Sequence, residues 1–157
     1  MSSSIQTVEQ LIGAARLFAD LAPNHLATLS GCASTARFEA GEYAFREGDP
    51  ADTFYVIRSG TVALETHVPG RPPARLMTLH EEDVLGWSWL FPPHRWHFDA
   101  PAIEPVRAVA FDGACLRGKV TGDHDLGYEL LRRFSQVMLS RLQATRLQLL
   151  DVYKVDG

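Results

Sequence analysis

The sequence predicts a mainly β fold with helix at both ends: an N-terminal helical cap over residues 1–35, an antiparallel β unit over 36–120, and a connector with a long C-terminal helix over 121–157, effectively one domain. Three observations predict it. Residues before 35 show helical apolar spacing, and short aromatic and β-branched segments after 36 are separated by glycine-bearing turns. The last third is a long stretch with no internal proline after the turn signals end.

Taken in order, Ile5 to Leu17 carries apolar residues at 5, 8, 11, 12 and 15, a helical period, and Pro23 followed by His25 to Leu29 predicts a second short helix entered through proline. Turns then fall at Gly41, Gly48-Asp49-Pro50, Gly60 and Pro69-Gly70. "TFYVI", Thr53 to Ile57, is apolar with little alternation, the texture of a strand covered on both faces. "TVALET" alternates Val62 and Leu64 with Ala63 and Glu65. "VPGRPPA", Val68 to Ala74, cannot be an internal strand because its three prolines supply no ladder donors, so it is a hairpin loop into "RLMTL". "AVAFD", Ala108 to Asp112, reads as the last strand. The helix expected from Asp125 to Tyr153 would span about 43 Å. Leu131, Met138, Thr145 and Val152 repeat along it every seven residues with Leu142 and Leu149 beside them, while Leu130, Phe134, Val137 and Leu147 lie towards another face. One stripe docks the helix on its own domain; the second, at heptad spacing, predicts a homodimer.

Composition narrows the function classes. With 157 residues, 46% hydrophobic and 22% charged, the chain is of ordinary globular type, and no apolar run is long enough to span a membrane. "MSSSIQTVEQ" lacks the basic and apolar regions of a signal peptide, so a cytoplasmic location is expected. Cys32 and Cys115 have no partner at metal-ligand spacing and are expected to be two reduced, packed thiols. A net charge of −4 disfavours general nucleic-acid binding.

Four stretches carry a resemblance: "LFADLAPNHLATLSGCA", "GEYAFREGDPADTFYVIRSGTVAL", "EEDVLGWSWLF" and "RLQATRLQLL". In this order they resemble the cyclic nucleotide-binding domain of the catabolite-activator/fumarate-nitrate-reductase regulator family, in a stand-alone form without the DNA-binding domain. The resemblance implies an antiparallel β jelly roll that can hold a cyclic nucleotide, with the long helix as lid and dimer interface. Relatives that bind such nucleotides carry Gly-Glu-Leu-Ala-Leu followed by Pro-Arg-Ser/Thr-Ala: helix-turn amides and the arginine meet the phosphate, and the glutamate accepts from the ribose hydroxyl.

This chain departs from that pattern. Gly86 matches the glycine, but Trp87 stands at the glutamate position, and an indole donates one hydrogen bond and accepts none. Losing a charge-assisted hydrogen bond costs roughly 1.5–3 kcal/mol. Counting forward from Gly86 puts the arginine position at His97; counting back from "AVAFD" puts it at Trp96. Arg95 replaces the family arginine only if Pro92-Pro93 re-aim the loop, since a one-residue slip in a strand reverses the face. Ser88 either helps to hold an anion or caps the following helix. In "RLQATR", Thr145 matches a threonine that meets the base from the partner subunit, and Arg146 stands in for a serine; Thr145 is a relic, a register-setting residue or a ligand contact. The candidate ligand-binding set is therefore Gly86, Trp87, Ser88, Arg95, Trp96, His97, Thr145 and Arg146.

The expected function is a non-enzymatic sensory domain with altered or lost recognition of cyclic AMP or GMP, taking a cyclic nucleotide or another small anion and no other cofactor. The alternative is a dimeric interaction or scaffold domain whose pocket is plugged by Trp87, Trp89 and Trp96, a protein partner then taking the place of the small-molecule effector. His94 and His97 lie three apart on an extended segment and face opposite ways, so no metal site is expected. No nucleophilic triad or paired-carboxylate signature is present. Arg132, Arg133, Arg141 and Arg146 are expected to flank a dimer seam or meet a partner, and with the chain ending four residues past the helix no DNA binding by this chain alone is expected.

Overall fold

The computed structural model describes the backbone of residues 7–155 and the side chains of 7–151. Helix α1, Val8–Ala14, starts at a capping box: the Gln10 amide donates to Thr7 Oγ1 at 3.1 Å, and the Thr7 amide donates to Gln10 Oε1 at 2.9 Å. The expected single helix to Leu17 is broken, because Ala15 is extended (φ −72°, ψ 138°) and a short 3-10 turn, Arg16–Phe18, follows. That break turns Phe18 into the core, where it is 1% exposed. Ile5 lies outside the described residues. Helix α2, Pro23–Gly31, is entered with proline at its start, as the sequence predicts.

Six strands follow among the described residues: β1 Ala33–Phe38, β2 Thr53–Ser59, β3 Val62–Thr66, β4 Ala74–Leu79, β5 Val84–Leu85 and β6 Val106–Asp112. They form an antiparallel jelly roll from a four-stranded sheet in the order β1-β6-β2-β5 and a two-stranded sheet β3-β4. Isolated bridges from Val62 to Ala102 and from Glu65 to Asp99 bring the 99–102 segment onto β3 and close the roll. Gly60 (φ +94°) makes the β2–β3 turn beside Pro105, whose carbonyl oxygen would lie 2.3 Å from any Cβ there. Val62, Ala63 and Leu64 are all buried, so the alternation expected in "TVALET" fails at Ala63. Ala63 is fully buried, its amide donating to the Pro101 carbonyl at 3.0 Å where the 99–102 segment packs onto β3.

Helix α3, Gly113–Gly122, begins at Asp112, whose Oδ1 accepts from the Cys115 amide at 3.0 Å. Helix α4, His124–Val155, is the long terminal helix. Two cores divide the interior. One joins the helices to the outer face of the sheet: Phe54 stacks on Phe111 at 4.5 Å and on Trp89 at 4.9 Å, with the Phe134 edge 5.0 Å away. The other fills the barrel with Phe45, Ile57, Leu64, Leu85 and Trp96 among others.

Cys32, at the end of α2, and Cys115 form a disulfide, which corrects the expectation of two reduced thiols. The fold brings residues separated by 83 positions to a Cα–Cα distance of 5.8 Å, within bridging range. No helix among the described residues is long and apolar enough to cross a membrane, and no His/Cys/Asp/Glu group among them is arranged to hold a metal ion.

Candidate functional site

Strand β5 leads directly into the site. Val84 and Leu85 pair with Val56 and Tyr55, and Gly86 then takes φ +99°, a backbone state that side chains strain to adopt. Trp87 follows in a non-helical conformation, and Ser88–Leu90 form a 3-10 turn with no side chain capping it, so Ser88 is not a cap. Trp96 is pinned by backbone bonds to the turn at 48–49: its amide donates to the Asp49 carbonyl at 3.0 Å, and the Gly48 amide donates to its carbonyl at 2.8 Å. This register sends the Trp96 side chain into the barrel and leaves Arg95 and His97 exposed.

Inside, the Trp96 indole stacks on Phe45 with ring centroids 3.8 Å apart and planes 8° from parallel. Its edge lies against Gly86: a Cβ at 86 would sit 2.5 Å from the ring. The space left among Gly86, Trp87, Ser88, Trp96 and His97 is about 40 Å³, room for a few water molecules. Helix α4 closes this cleft from above. Arg141 donates from Nη2 to the Val84 carbonyl, and its guanidinium lies 5.0 Å from the centre of the Trp87 ring. Burial pushes the Arg141 pKa down to about 10, against a smaller upward pull from Asp83. Beyond Trp87, a groove of about 490 Å³ runs between the barrel and α4, lined by Leu64, Leu76, Met77, Phe98, Met138, Leu142, Thr145 and Gln148 among others.

Residues 35–121 match the cyclic nucleotide-binding domain family. The chain belongs to the cyclic nucleotide-binding domain family. A cAMP-activated, catabolite-activator-like global transcriptional regulator of Mycobacterium tuberculosis is 28% identical over 149 residues, covering 95% of this chain and 65% of the regulator. The chain therefore spans just under two thirds of that relative's length. A Geobacter metallireducens GS-15 protein ascribed to cyclic nucleotide binding superposes with a TM-score of 0.78 at 26% identity, covering 88% of this chain and 99% of that one. The N-terminal domain of a Streptomyces coelicolor A3(2) transcriptional regulator gives a TM-score of 0.67 at 25% identity, with 85% and 94% covered.

Within this cyclic nucleotide-binding domain, the candidate residues separate into three groups. Gly86, Trp87, Ser88, Trp96 and His97 come together around the small cleft. Thr145 lines the neighbouring groove, with its hydroxyl donating to the Arg141 carbonyl at 2.9 Å. Arg95 does not reach the cleft: it points outward and donates to the Gly48 carbonyl at 3.2 Å. Arg146 is exposed on α4 and lines neither cavity. Trp89 is no part of a plug either; it is fully buried in the helix-side core, 28 residues before Arg117, which donates to its carbonyl.

Two contributors escaped the sequence reading. Phe45 supplies the stacking face for Trp96, and Arg141 supplies the cation, although Arg141 was expected on a dimer seam or facing a partner. A signal for Arg141 existed: Leu130, Phe134 and Val137 form the inward line of α4, and 141 is the next position on it. Arg133 likewise turns inward, donating to the Leu17 and Ala19 carbonyls at 2.9 and 2.8 Å.

Proposed function

We propose that this chain is a non-enzymatic regulatory domain that no longer recognises cyclic AMP or GMP in the ordinary way and that signals through α4 as a homodimer. The position of Trp96 carries the reading. Its indole covers Gly86 and leaves about 40 Å³ where the family places a sugar-phosphate. Trp87 adds to this by removing the carboxylate that would accept from a ribose hydroxyl. No barrel arginine faces the cleft among the described residues, since Arg95 is engaged with Gly48 on the outside. The Mycobacterium tuberculosis relative is named as cAMP-activated, so this chain is proposed to keep the relative's sensing scaffold with its ligand replaced.

The stacked Phe45–Trp96 pair also favours the second reading, an interaction domain with a permanently filled barrel. One melt series tests recognition for both. A nucleotide held with a Kd one hundredth of its concentration adds about 2.7 kcal/mol to the folded state. Thermal denaturation with 1 mM cyclic AMP or cyclic GMP is expected to leave the midpoint unchanged; a rise of several degrees would overturn the loss of ordinary recognition.

A further inference from the structure

The groove between the barrel and α4 has an unusual division of chemistry. Leu64, Leu76, Met77, Phe98, Met138 and Leu142 make it apolar along its length. Leu76 and Leu142 remain 39% and 66% exposed, so apolar surface is left uncovered. Among the described residues, Arg141 is the one charged residue that lines it. A guanidinium has five donors, and here one of them meets a protein acceptor among the described residues, the Val84 carbonyl. No carboxylate lies within 4.0 Å of it among those residues, and the nearby Asp83 is engaged by the His80 amide at 2.8 Å. A partly desolvated cation with unused donors at the end of an apolar trough is half of a binding site.

We propose that this groove binds an amphipathic organic anion, its apolar body lying along Leu64, Leu76, Met77, Phe98, Met138 and Leu142 and its single anionic head paired with Arg141. The inference rests on the reading above that α4 reports ligand occupancy, and it moves the anion-binding group from the barrel to the helix that must move. The polar end continues past Trp87 to Ser88 and His97, which line the small cleft beside Arg141. A flat aromatic or branched aliphatic body fits the trough better than a ribose, because its lining side chains are apolar apart from Trp87, Arg141, Thr145 and Gln148 among the described residues. The wider groove of about 740 Å³ that shares Met77 and Arg141 with it is a poorer candidate for an anion, because Asp20, Glu82, Asp83 and Glu129 also line it.

The test uses 8-anilinonaphthalene-1-sulfonate, an aromatic monoanion that fluoresces when desolvated, against its neutral relative N-phenyl-1-naphthylamine. The sulfonate is expected to bind saturably, one per chain, at least tenfold more tightly than the neutral amine. Arg141→Met should weaken the sulfonate at least tenfold while changing the amine less than about twofold, the scale of one charge-assisted contact. Should Arg141→Met not fold, Leu76→Glu at an exposed position keeps the question open to measurement: its added negative charge should weaken the sulfonate at least tenfold and more than Leu76→Gln does. Equal affinity for the two probes, unsaturable binding, or indifference of the sulfonate to Arg141→Met and Leu76→Glu would overturn the proposal. A chain that ignores cyclic AMP and also fails to hold the sulfonate defeats this inference alone. A chain stabilised by cyclic AMP defeats the earlier reading, whatever the sulfonate does.

Discussion

At Gly86 two constraints meet in one residue. Its φ of +99° strains any side chain, and a Cβ would press into the Trp96 ring at 2.5 Å. Gly86→Ala is expected to cost more than about 1 kcal/mol on backbone grounds. Trp96→Ala should cost about 3–5 kcal/mol by emptying a stacked, buried site. The two changes are not independent, because removing the indole removes one of the two obstacles at 86. A double-mutant cycle in urea should show the pair less destabilised than the sum of the singles; strict additivity would mean that the ring and the glycine do not press on each other. The glycine was legible in the sequence. Which of Arg95, Trp96 and His97 faces inward was not, because a one-residue difference in strand register reverses every side chain and the loop at 92–94 hides the count. Hydrogen bonds of Trp96 to Gly48 and Asp49, far away in sequence, decide it.

The elements themselves were largely readable. Proline at the start of α2, glycine-marked turns and the proline-rich hairpin loop all sit where local chemistry puts them. Local pattern failed where a neighbour overrode it: α1 stops early and Phe18 turns inward, and Ala63 is buried where the 99–102 segment packs onto β3. The Cys32–Cys115 bridge ties α2 to the connector that leads into α4. Closing so long a loop is worth roughly 2–5 kcal/mol. Replacing both cysteines by serine should therefore lower the unfolding free energy by that amount and move the urea midpoint down accordingly, and dithiothreitol should do the same to the parent chain. An unchanged midpoint in both would mean that the bridge does not form in solution.

For the molecule as a whole, α4 is the decisive element. Its first half is held down by Leu126, Leu130 and Phe134, each nearly fully buried, and by Arg141 on the Val84 carbonyl. Beyond that point Leu142, Leu147, Leu149 and Leu150 are all exposed. Leu147, expected on the inward stripe, is among them because the barrel ends before the helix does. Leu131 and Leu149, exposed on α4 outside the ligand groove, support the proposed homodimer; the side chain of Val152, expected on the same face as Leu131, lies outside the described residues. Sedimentation equilibrium at tens of micromolar should give twice the chain mass, and Leu149→Glu should shift it towards the monomer. A monomeric parent chain would sink the proposal.

The sequence by itself determined the class of fold and the family, because turn chemistry, apolar period and residue type are local properties. Only the tertiary structure decided that Trp96 fills the barrel, that Arg141 rather than Arg95 is the cation at the cleft, and that the two cysteines meet. Each of these depends on distances between segments far apart in the chain, where register and packing against other elements, and not the residue's own neighbours, choose the direction in which a side chain points.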